Sequence, residues 1–236
     1  MVYNPEHWNV KDPYPDQPLE DINPISDRAW SALIRSKYKD VDKDGFMNLV
    51  GAIDIMHGLE YHYNHFCAIV NAIANLPLHD AMSEHNKRFL IHETVAYLNR
   101  LGQFYYFSSS SFTKDRITNW REIVPTIIKY VRFRHKHSAH RSIDKPMMED
   151  NPHQQKVHAW ALSSIGGLLF APKPGRKTTS LPDLINNPEK IWNESYICFQ
   201  LMGDDVNDTI NLSIEREHPV FIGEAYDLIF KLLSLG

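Results

Sequence analysis

The residues with the most chemistry in this chain lie between Lys129 and Lys145, KYVRFRHKHSAHRSIDK. Six cations (Lys129, Arg132, Arg134, Lys136, Arg141, Lys145) and three imidazoles (His135, His137, His140) precede or flank a single acid, Asp144. The whole chain has a formal net charge of -4, so this stretch is a local reversal of sign. Arginine offers a fixed fork of donors to phosphate oxygens, and histidine exchanges protons near neutral pH. A phosphate-bearing partner, RNA first, is the expectation these residue types raise.

Positions four apart are neighbours on a helix, so Lys129, Arg132, Lys136 and His140 would form one cationic ridge, with Val124, Ile127, Ile128 and Val131 opposite. The plain alternative is a solvated basic face. Three imidazoles within six residues exceed what a solvated face needs, and Ala139 beside His140 suggests close packing that would hold an imidazole in place.

Arg134, a polar His135, Lys136, two residues, then Ala139 and His140 resembles the Arg-polar-Lys-x-x-Ala-His form of HEPN-superfamily proteins, especially the AbiU-type abortive-infection group. About seven positions carry the likeness, and beyond them it extends only to helical character over roughly residues 26–145. The resemblance implies an all-helical bundle and a metal-independent endoribonuclease with composite sites at a homodimer interface. It puts the family's arginine on Arg134, its polar follower on His135, where asparagine or aspartate is more usual, and its histidine on His140. RNA cleavage through the 2′-hydroxyl needs a base, a positive group for the phosphorane and an acid for the leaving oxygen. His140 would be base or acid, Arg134 the charge stabiliser and His135 a positioning group. Arg132, Lys136 and Arg141 would bind the substrate backbone. In an unbroken helix Arg134 and His140 point about 120° apart, so they converge only through a helix break or a second protomer.

These residues need a scaffold, and the composition supports one. At 236 residues and 43% apolar content the chain has enough material for a globular core. A pI near 6.3 excludes a general nucleic-acid coat but not one basic site. Cys67 and Cys198 stand alone, which excludes a thiolate zinc cluster and indicates a reducing compartment. The first residues have neither the basic start nor the apolar run of a secretory signal, and the run Ala159–Ala171 is too short to span a bilayer. A soluble, cytoplasmic protein with no membrane partner and no cofactor is expected.

The elements follow from periodicity. Five prolines make residues 1–25 an arm, which Trp8, Tyr14 and Ile22 would pin to its own domain or to a second protomer. Ser26 reads as the N-cap of a helix to Tyr38, with Trp30, Leu33 and Ile34 on one stripe. A long helix is expected from Phe46 to Leu76 on Leu49, Ile53, Met56, Leu59, Tyr63, Phe66 and Val70. A second runs from Asp80 to Phe107 on Phe89, Leu90, Val95, Leu98 and Leu101. Its terminal aromatics, Phe104 to Phe107, read as core or dimer interface. A third begins at Asn119, paired with Glu122 as in a capping box, and passes through Pro125 toward His140. A shorter helix over Pro152–Leu169, a basic loop, a hairpin of Tyr196–Met202 and Thr209–Glu215, and a last helix from Val220 complete the chain. The fold class is therefore mainly α, an antiparallel helical bundle with a small C-terminal β-hairpin and a final helix. Its divisions are the arm at 1–25, the bundle at 26–170, the loop at 171–194 and the hairpin with its helix at 195–236.

Two other sites compete. Asp40, Asp42, Asp44 and Gly45 reproduce the first half of an EF-hand loop, but Gly51 stands where the bidentate glutamate belongs, so an acidic turn capping the next helix is the simpler reading. Asp54 and His57, with His62, His65, His92 and Glu93, hold one carboxylate-x-x-His motif where a di-metal bundle needs two, so they read as polar helix surface and no resident metal is expected. The sequence thus leaves three functions: an RNase or RNA-binding protein in defence or stress response, a non-catalytic helical module binding a protein partner, and a calcium binder.

Overall fold

In the computed structural model, residues 24–74, 76–81, 83–131, 168–173, 195–202 and 209–235 are described. Helix α3, Lys43–Ala74, is the spine. Leu49, Ile53, Met56, Leu59, Tyr63, Phe66 and Val70 recur every three or four residues, and all are buried except the half-buried Tyr63, as a single apolar stripe requires. It packs along α5, Glu84–Ser108, whose Leu90, Leu98, Leu101 and Phe104 are fully buried. Asp42 sets where α3 starts. Its carboxylate accepts from the Gly45 N–H at 2.8 Å and anchors the first turn, so the helix begins at Lys43 rather than at Phe46. Asp42 also lies against Gly45 Cα, which leaves no room there for a Cβ.

Helix α5 begins after Ser83, whose hydroxyl accepts from the Asn86 N–H, and a separate turn, α4 (Leu78–Ala81), occupies the expected first residues. Phe89, assigned to the core stripe by spacing, is instead 47% exposed, and Tyr97 takes a core position.

Two helices start where expectation did not place them, and carboxylates distant in sequence receive their first N–H groups. Helix α1 spans Ile25–Arg35 with Pro24 at its N-cap. Ser26 does not cap it. The Glu60 carboxylate of α3 accepts from the Ile25 N–H at 2.8 Å, from the Ser26 N–H and from Ser26 Oγ. Ile34 is 46% exposed, and Tyr38 belongs to the next turn, α2 (Tyr38–Val41), where its hydroxyl donates to Leu232 O. Beyond the short α6 (Ser111–Lys114), the expected continuous helix after Asn119 is broken: α7 spans Trp120–Ile123, Val124 leaves helical geometry at φ -120 and ψ 47, and α8 restarts at Pro125 and runs to Val131. Proline lacks the N–H an interior position would need and suits a first helical position.

The sheet has three strands, ordered β1-β2-β3 and antiparallel throughout. β1 is Leu168–Pro172, which places Leu168 and Leu169 in a strand rather than at a helix end, and Ala171 and Pro172 in it rather than in the loop. β2 is Ser195–Met202 and β3 is Thr209–Leu212. The last helix, α9, spans Ile214–Leu233, six residues earlier than Val220, with Pro219 tolerated inside its second turn. α9 packs on α1, α3, α8 and β2, and its Phe221, Ala225, Leu228, Ile229 and Leu232 join the same apolar cluster as α3 and α5. Ile197, Phe199 and Leu201 of β2 enter that cluster, with the Phe199 and Phe66 rings 6.3 Å apart. The mainly α bundle with a small C-terminal sheet and final helix is therefore the fold.

Candidate functional site

Arg132, Arg134, His135, Lys136, His140 and Arg141 lie outside the described residues, as do the arm before Pro24 and most of the expected loop at 171–194. The support on which the basic segment begins is described to its last residue. Helix α8 is seven residues long, too short to be stable alone, and is held at both ends. At its start the Glu224 carboxylate of α9 accepts from the Thr126 N–H at 2.9 Å and from the Ile127 N–H at 3.0 Å. Near its end the Tyr130 hydroxyl is shared between Glu217 Oε1 at 3.1 Å and Asn211 O at 3.3 Å, while Arg216 bonds the same carboxylate at 2.7 Å. Burial, followed by the nearby Glu217 charge, pushes the Tyr130 phenol up to about 12, so it stays a neutral donor. Val131 is buried and Lys129 exposed, with its ammonium 5.6 Å from the Tyr130 ring centroid. Glu224→Ala leaves two helix-end donors without an acceptor, and a stability loss of about 1–2 kcal/mol in urea titration is expected.

The histidine and carboxylate residues of α3 and α5 are sorted into separate pairs. His57 bonds Asp27 at 3.0 Å and Asp54 lies 3.7 Å from Arg100, so the carboxylate-x-x-His pair diverges to different partners. His62 Nδ1 and His65 Nδ1 each lie 2.9 Å from a different oxygen of Glu93, and Tyr61 stacks on His65. Burial pushes the Glu93 carboxyl up, but the two imidazole hydrogen bonds outweigh it and hold it below the ordinary value. These contacts cross-link the two long helices, and among the described residues no group of three or more His, Cys, Asp or Glu side chains is arranged to hold a metal ion. In the acidic turn, Asp42 spends its second oxygen on Arg116 at 2.8 Å, as a capping and bridging residue would.

Sequence reasoning missed a buried titratable pair, His218 and Tyr97. The His218 Nδ1 is hydrogen-bonded to the Tyr97 hydroxyl at 2.8 Å, and the imidazole ring stacks on Tyr63 at 4.0 Å and 6°. Burial pushes the imidazole down to about 4, so it is neutral in the fold, while burial raises Tyr97. The signal was present in spacing: Tyr97 shares the α5 stripe with Leu90, Thr94 and Leu101, and His218 shares the α9 stripe with Phe221, Ile222 and Ala225.

Among the described residues this fold is a mainly α helical bundle with a three-stranded antiparallel sheet, and no described helix is long and apolar enough to cross a membrane. Compared with protein-family models, with curated proteins and with solved structures, the chain matches none.

Proposed function

We propose that this chain is a HEPN-like, metal-independent endoribonuclease or RNA-binding protein of defence or stress response, cytoplasmic and homodimeric. The observation that carries the reading is the basic histidine segment, with six cations, three imidazoles and one acid between residues 129 and 145. Arg134 would stabilise charge on the phosphorane and His140 would act as base or acid. His135 would position the substrate, and Arg132, Lys136 and Arg141 would hold its phosphates. The anchoring of α8 by Glu224 and Glu217 supports it, because a tethered helix leads directly into the segment at Val131.

The test is cleavage of total RNA and tRNA in chelator by the native chain, Arg134→Ala and His140→Ala at equal folded concentration. Native cutting that leaves cyclic-phosphate ends, with activity in either variant reduced at least about 100-fold, is the expected result. Mixing the two variants is expected to restore part of the activity if each site draws on both protomers. Native protein that is folded and dimeric yet neither cuts nor binds RNA would end this reading and favour a module for a protein partner.

A further inference from the structure

We draw no further inference here: the strongest candidate, the apolar groove between α1 and α9 lined by Ala32, Arg35, Ser36, Phe230, Leu233 and Ser234, carries none, since nothing in the structure shows what covers it.

Discussion

Replacing Glu60 with alanine is expected to cost about 3 kcal/mol and to lower the melting temperature by roughly 6–12 °C, read by calorimetry or circular dichroism. Glu60 is buried on α3, and its carboxylate is the acceptor for the Ile25 N–H, the Ser26 N–H and the Ser26 hydroxyl. Removing it strands these donors at the start of α1, where Ser26 is fully buried and water does not replace the lost partner. The carboxylate is itself expensive to bury: desolvation raises its pKa, against the lowering effect of its hydrogen bonds to Ser26 and Ile25. Glu60→Gln keeps an acceptor and the volume without a charge, so its loss should be nearer about 1 kcal/mol. Alanine and glutamine variants that both melt within a degree of the native chain would show that α1 does not depend on this cap.

Stability should also fall as pH drops from 6.5 toward 4, by about 3 kcal/mol in total, through His218. Its folded pKa is pushed down to about 4 from the ordinary 6.5 by burial. In that window the unfolded chain takes up a proton that the folded chain refuses, so the contribution is fully present above 6.5 and is lost through acidification. About 1.4 kcal/mol of it is already lost at pH 5.5. The raised carboxyl of Glu60 works in the opposite sense, since its folded form retains a proton that the unfolded chain has released. The His218 share is therefore isolated by comparison with His218→Gln, whose side-chain amide still bonds the Tyr97 hydroxyl. Urea titrations from pH 7.5 to 4 should show a growing gap between native and variant slopes. Parallel pH profiles would mean that the imidazole protonates as freely in the fold as in the unfolded chain.

Much of the architecture was readable in the chain because the long helices are amphipathic over many turns. The α3 stripe from Leu49 to Val70, apart from the half-buried Tyr63, and the α5 positions Leu90, Leu98 and Leu101 are buried as their spacing requires. What escaped reading has a common physical cause: the partners are distant in sequence. Ser26 is a good N-cap by type, yet the acceptor at α1 is Glu60, 34 residues later. Pro125 looked tolerable within a continuous helix, but it starts a new one whose amides are received by Glu224, 98 residues away. The last helix was expected from Val220, and the apolar packing of α9 extends past Pro219 to Ile214. β1 was hidden because Leu168–Pro172 is a short apolar run of the kind that periodicity cannot assign to helix or strand. Of the site, the sequence displayed the charge and imidazole content of the basic segment, whereas the anchoring of the helix before it depends on α9 and was not visible locally.

The position of α9 has a consequence for how the polypeptide matures. Tyr38 donates to Leu232, Tyr97 is hydrogen-bonded to His218, and α8 is received by Glu224, so three separate earlier segments find their polar partners in one late helix. Translation proceeds from the other end. As the chain leaves the ribosome, α3 and α5 can zip together on apolar contacts, but the Thr126 and Ile127 donors of α8 must wait open to water until residues 214–233 emerge. The basic segment is therefore synthesised well before the helix that leads into it can lock, which places the anchoring of α8 after the pairing of α3 with α5. Pulse-labelled hydrogen exchange during refolding should show Thr126 and Ile127 gaining protection together with the amides of α9, and later than the middle of α3.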